Sequence, residues 1–116
     1  MEDLDELRET VEKVLLEWAD FIKPRTAPPD QNNQPEVVFD RVHDRYVLFD
    51  VGWQGERRMY SLIAHLDIID GKVWIQKDNT EEGVATDLEN YGVPKDKIVL
   101  AFKSPALRKY TEYAAA

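Results

Sequence analysis

The chain has 116 residues, no cysteine, 43% hydrophobic content and a net charge of −8. That length and composition imply one domain, residues 1–116, with a modest core, and they exclude disulfides, thiolate metal sites and a cysteine nucleophile. Most of the excess charge falls in residues 1–23, where eight acids face three bases; such a surface repels nucleic-acid phosphates and suits a basic protein partner, or serves solubility alone. No apolar run approaches membrane-spanning length, and Met1 is followed by acidic amphipathic sequence rather than a basic and then apolar stretch. The expected location is therefore cytoplasmic.

Residues 3–22 predict a helix, because Leu4, Leu7, Val11, Val14, Leu15, Trp18 and Ile22 recur at i, i+3/i+4, i+7 opposite a charged face. Lys23–Glu36 holds four of the six prolines and predicts a mobile loop. Val37–Asp40 and Arg45–Trp53 predict a hairpin joined by the polar Arg41–Asp44. In its second strand neither face is clearly polar before Asp50, which marks a central strand. Gly52–Glu56 supplies the next turn.

Met59–Ile69 predicts a long strand with Tyr60, Leu62, Ala64 and Leu66 on one face and Met59, Ser61, Ile63, His65 and Asp67 on the other. Asp70-Gly71 suits a two-residue hairpin loop, since both residues tolerate positive φ. Lys72–Lys77 predicts its partner strand, so three successive hairpins imply an antiparallel meander of four strands. Asp78 or Thr80 is placed to cap a second helix over Thr80–Tyr91, with Glu81 and Glu82 in its first turn and Gly92 and Pro94 ending it. Ile98–Phe102 predicts a short fifth strand, and Ser104-Pro105 opens a short helix over Ala106–Tyr110. The sum is an α+β domain: an amphipathic N-terminal helix and a second helix on one face of a four- or five-stranded, mainly antiparallel sheet.

Few constellations suggest chemistry. His65 and Asp67 share a strand face, and Asp78, Glu81 or Glu82 are candidates to complete a carboxylate-rich metal site, against the plainer reading of a hydrogen-bonded histidine and helix caps. Asp50, Asp67 and Asp70 with Lys72 carry the residue types of a metal-dependent nuclease core, but Asp70-Gly71 reads as the turn itself. Arg57, Arg58 and Lys72 with Trp53 and Trp74 are candidates for a basic–aromatic nucleic-acid surface, or for anchors and solvated arginines. Ser61 and Ser104 have no nucleophile elbow, and there is no glycine-rich phosphate loop. No catalytic residue, cofactor or metal site is assigned, and the chain is expected not to be an enzyme.

The segments FDRVHDRYVLFDVGW (39–53), HLDIIDGKVWIQKDNTEEGVATDL (65–88), GVPKDKIVLAF (92–102) and P-x-x-R-x-x-TEYAAA (105–116) closely resemble the XisI-like family, the fdxN element excision controlling factor proteins of cyanobacteria. The resemblance runs from about Glu36 to the C-terminus, with the N-terminal helix also in place. Three positions depart from the family pattern: Asn79 stands in Asp78-Asn79-Thr80 where glycine is favoured, Ala101 in Leu100-Ala101-Phe102 where glycine is favoured, and Tyr113 where phenylalanine is favoured. The resemblance implies control of a DNA rearrangement during heterocyst differentiation, with a separate recombinase cutting and joining. It also implies a XisH-like partner that resembles an endonuclease. From these expectations follows a non-enzymatic regulator acting by protein–protein contact; the alternatives are a DNA-binding accessory factor and a metal-dependent nuclease subunit. Trp53, Trp74, Arg57, Arg58 and Arg108 are the expected partner-binding residues. Val73, Trp74 and Ile75 put apolar bulk on both faces of one strand, so the face turned from the N-terminal helix needs a cover: the segment Ala106–Tyr113, the partner, or a second copy of the chain in a homodimer.

Overall fold

The computed structural model describes residues 3–24 and 29–116. Helix α1 spans Leu4–Ile22. Asp3 caps it by accepting the Glu6 N–H at 2.8 Å, with Asp5 and Glu6 in the first turn where the helix dipole favours negative charge. It ends where Lys23, preceding Pro24, turns extended, as a residue before proline tends to do. Leu7, Val11, Val14 and Leu15 bury the predicted stripe, each contributing roughly 1.5–3 kcal/mol.

Five strands follow: β1 Gln34–Asp40, β2 Arg45–Gln54, β3 Arg57–Ile69, β4 Lys72–Asp78 and β5 Ile98–Leu100. They lie in the order β1-β2-β3-β4-β5; the first four form the expected antiparallel meander, and β5 joins β4 in parallel. β2 is interior, flanked by β1 and β3. Both two-residue hairpin turns are built on positive φ. Asp70 and Gly71 sit at φ 52 and 74, and Gly55 opens the β2–β3 turn at φ 61. That turn is Gly55-Glu56 alone, so Gly52 and Trp53 belong to β2.

The predicted mobile loop Lys23–Glu36 divides three ways. Residues 25–28 lie outside the described residues. Asp30–Asn33 is tied to the β2–β3 hairpin: the Gly55 N–H donates to Asp30 O, the Asn32 N–H to Trp53 O, and the Trp53 N–H to Asn32 Oδ1. Gln34–Glu36 already belongs to β1, an edge strand where Pro35 is tolerated. This docking explains a glycine inside a strand, for a Cβ on Gly52 would come within 2.3 Å of Asn33 Cα, and its φ of 149 is unfavourable to other residues.

Helix α2 spans Val84–Asn90, shorter than the predicted Thr80–Tyr91. Asp78 does the capping, accepting from Thr80 N–H, Thr80 Oγ1 and Val84 N–H, but it folds residues 80–83 into a loop first. Gly83, at φ 86, is not helical, so Glu81 and Glu82 precede the helix rather than filling its first turn. A 3-10 turn, Lys95–Lys97, leads into β5, which ends at Leu100 rather than Phe102. Helix α3 is Pro105–Arg108, with proline at its first position. The tail returns to the sheet, where Ala114 bridges Val99.

The core is one cluster between α1, α2 and one sheet face, with Tyr46, Leu48, Ala64, Leu66, Val73, Ile75, Leu88, Ile98 and the α1 stripe fully or nearly fully buried. Ion pairs fasten α1 to the β1–β2 turn. Arg41 grips Glu12 with two bonds of 2.7 Å. Asp44 accepts from Arg8 Nε at 2.8 Å and from the phenol of buried Tyr46 at 2.8 Å. The Arg8 hydrogen bond holds the Asp44 carboxyl below its ordinary value, and the same bond raises the Arg8 guanidinium.

Candidate protein-interaction face

Cross-strand partners share a sheet face. The face turned away from α1 and α2 therefore carries Val38 opposite Val47, Phe49 opposite Leu62, Val51 opposite Tyr60, and Trp53 opposite Arg58. A β-bulge decides part of this. Leu48 pairs with Ala64 but Phe49 pairs with Leu62, leaving Ile63 unpaired on β2. The bulge shifts the alternation by one residue, so Tyr60 and Leu62 lie on the helix-free face, not with Ala64 and Leu66 as simple alternation predicts. Tyr60 is 71% exposed and Val38 53%, while Val47, Phe49, Val51 and Leu62 are half-buried. The Phe49 and Tyr60 rings lie 5.9 Å apart.

Four of the five expected partner-binding residues form two stations on this face. Arg58 stacks over Trp53 at 5.1 Å, and Arg108 over Trp74 at 5.3 Å. Arg58 and Asp67, the partner of Trp74, are nine positions apart along β3, which sets the stations about 30 Å apart. Arg57 pairs with Gln54 and points to the opposite face. Of the three covers considered for Trp74, the C-terminal segment provides one: Arg108 is anchored by its bonds to Lys103 O and Ala101 O, both 3.0 Å. The Trp74 indole N–H is buried with no hydrogen-bond partner among the described residues.

Beside the Trp74 station lies Asp67, 5% exposed. It bonds His65 Nε2 at 2.8 Å and Gln76 Nε2 at 3.2 Å, with Arg45 Nε at 3.6 Å. A buried carboxylate needs such partners, and here they are all found. The residues proposed to complete a metal site are not with it. Asp78 pairs with Ala64 on the helix-covered face and caps the α2 loop, and Glu81 and Glu82 stand in that loop. Among the described residues no three histidine or acidic side chains are grouped to hold a metal ion. The nuclease-like acids are likewise dispersed: Asp50 pairs with Ser61 and accepts from Asn33, Asp67 is on the other face, and Asp70 is in the turn.

The three family departures have local explanations. Asn79 does not adopt positive φ, and its amide donates to Leu62 O at 3.2 Å, so glycine is not required there. Ala101 also lacks positive φ. The extra hydroxyl of Tyr113 donates to Glu89 Oε2 at 2.8 Å, and burial together with that bond raises its pKa to about 12.

The molecule so defined is an α+β domain with α1 and α2 on one face of a five-stranded, mostly antiparallel sheet and, on the other, an apolar face that the C-terminal segment covers at Trp74. The XisI protein family model matches residues 1–115, and the chain belongs to that family. Its structure is similar to that of a XisI-like protein from Anabaena variabilis ATCC 29413, with 35% identity, a TM-score of 0.86, and coverage of 98% of this chain and 100% of that one. It is also similar to the fdxN element excision controlling factor XisI from the same strain, with 29% identity, a TM-score of 0.78, and coverage of 97% and 98%. No match is found among functionally curated proteins. Among the described residues no helix is long and apolar enough to cross a membrane.

Proposed function

We propose that this chain is a cytoplasmic, non-enzymatic control factor of the excision-controlling type, acting through protein–protein contact with a XisH-like, endonuclease-family partner. The observation that carries the contact is the helix-free sheet face. It presents Val38, Tyr60 and Trp53 to solvent over half-buried Val47, Phe49, Val51 and Leu62, an apolar surface of the kind that marks interaction sites. It is also nearly neutral in a chain of charge −8, since the acids Glu36, Asp40 and Asp67 meet the bases Arg45, Arg58, Lys72 and Lys77 there. A surface of that kind accepts a protein without the repulsion that the rest of the molecule presents. Family membership supports the regulatory role, because a relative of similar structure carries the name of an excision controlling factor.

Trp53, Arg58 and Tyr60 form the exposed centre of the proposed interface. Tagged chain should co-purify with the XisH-like protein at micromolar concentration, and Tyr60→Asp should abolish the complex while leaving the fold intact by circular dichroism. Retention of the complex by Tyr60→Asp removes this face from the proposal; absence of any complex between two folded partners removes the proposed function. A second copy of the chain is the other protein this face suits. Sedimentation of the chain alone separates the two, a homodimer dispersed by Tyr60→Asp assigning the face to self-association.

A further inference from the structure

A second surface lies on the opposite side of the molecule, between α1 and α2. It is a groove of about 480 Å³ with Val14 in its floor and Trp18, Phe21 and Tyr91 in its walls. Phe21 is 73% exposed although its ring meets Trp18 edge-on at 5.4 Å. The walls are fixed by two carboxylates that also line the groove. The Trp18 indole N–H donates to Asp87 at 2.5 Å, and the Tyr91 hydroxyl donates to Glu17. Glu81 and Glu82 stand exposed at the rim, with no ion pair among the described residues. Leu16, half exposed, carries the apolar strip along α1 past Phe21.

We propose that this groove docks a basic amphipathic segment of a protein partner, its lysine or arginine stems lying along Trp18, Phe21 and Tyr91 and its charged heads meeting Glu81 and Glu82. Two features select this occupant together. The aromatic walls and Leu16 want apolar surface, and the rim carboxylates with Glu17 and Asp87 want positive charge, so the complementary ligand is a long-stemmed cation beside an apolar residue. The chain itself already shows the preference, for the Lys13 ammonium sits 4.5 Å from the Tyr91 ring centroid at the groove's edge. A groove between two helices also suits a third helix laid along it. The inference is independent of the sheet-face reading, because it concerns a different surface and needs no XisH-like protein to test.

The probe is a short synthetic helical peptide of leucine and lysine, with a leucine–glutamate peptide of the same pattern as its control. Binding is read by the indole N–H resonances of Trp18, Trp53 and Trp74, which report the groove and the two sheet-face stations separately. The expected result is a shift of Trp18 alone with the lysine peptide, strengthening as salt falls, and none with the glutamate peptide. The double variant Glu81→Lys, Glu82→Lys should weaken binding about tenfold or more, and Phe21→Ser should weaken it severalfold; all three positions are exposed and leave the core intact. Equal movement of all three indoles, or affinity unchanged in both variants, overturns the proposal. So does spermine binding as tightly as the peptide with no effect of Phe21→Ser, which would mark a polycation field rather than a docking groove. Self-association lost in Phe21→Ser would assign the groove to a second copy and also overturn it.

Discussion

The two faces of the sheet are built from the same strands and end in opposite states. On one, Tyr46, Leu48, Ala64 and Leu66 are sealed under α1 and α2; on the other, Val47, Phe49, Val51, Leu62 and Tyr60 are left half or fully exposed. Composition does not separate them, since both are aliphatic and aromatic. Charge does. The helix layer that covers the first face carries most of the acidic excess outward, while the second face balances its few acids with arginine and lysine. The contrast teaches that one sheet surface can be sealed and the other left open with its charges balanced, and it is the open, near-neutral face that the proposed function uses.

The sharpest way to break the comparison is to truncate matched residues on the two faces. Leu66→Ala, on the sealed face, removes a fully buried side chain and should cost about 2–5 kcal/mol of stability by denaturant unfolding. Tyr60→Ala, on the bare face, should change stability by no more than about 0.5 kcal/mol. Comparable losses in both would mean that the bare face is structural.

A smaller effect is expected where the helix layer is pinned. Asp44→Ala removes the acceptor of Arg8 and strands the phenol of the buried Tyr46, so about 1–3 kcal/mol should be lost near neutral pH. The sign with pH follows from Asp44 being held below its ordinary value of 3.8 in the folded chain. Its contribution is present above that value and is lost as pH falls through the lower, folded one, so wild type and variant should converge in acid-unfolding measurements. A gap that stays constant down to strong acid would show that the carboxylate's charge is not what matters.

Much of the fold was legible because local chemistry and tertiary need agree. The α1 stripe, the Asp70-Gly71 turn and the proline-opened α3 all follow from short-range rules that the structure keeps. The misreadings have equally local causes. Ile63 bulges out of the β2 ladder, which no alternation count reveals, and so simple alternation groups Tyr60 and Leu62 with Ala64 and Leu66. Asp78 bonds an N–H six residues on and closes a loop where a helix was expected. For the interaction surfaces, tryptophan and arginine marked two stations but not their separation. The helix groove leaves one trace in the sequence: Leu16 and Phe21 are large apolar residues off the buried stripe of α1.

The smallest expected effect tests where the covered part of the helix-free face ends. Trp74 lies under Arg108, and the C-terminal tail is held at four further points: Ala114 N–H to Ile98 O at 2.8 Å, Lys72 Nζ to Ala116 O at 2.6 Å, Lys95 Nζ to Glu112 Oε1 at 3.0 Å, and Tyr113 hydroxyl to Glu89 at 2.8 Å. Tyr113→Phe restores the residue that the family pattern favours and removes only the last of these. It should cost about 0.5–1.5 kcal/mol at neutral pH, because Glu89 remains able to pair with Lys95 at 3.6 Å. The Tyr113 hydroxyl is raised from 10.0 to about 12, so its contribution is complete below pH 10 and disappears as pH rises towards 12. The variant should therefore be less stable than wild type at pH 8 and indistinguishable from it near pH 12. Amide exchange at Ala114 should quicken in the variant at neutral pH, reporting a looser tail. If instead the Trp74 indole signal also shifts strongly, Tyr113 and Arg108 hold the cover as one unit, and the boundary between covered and bare sheet is set by the tail rather than by Arg108 alone.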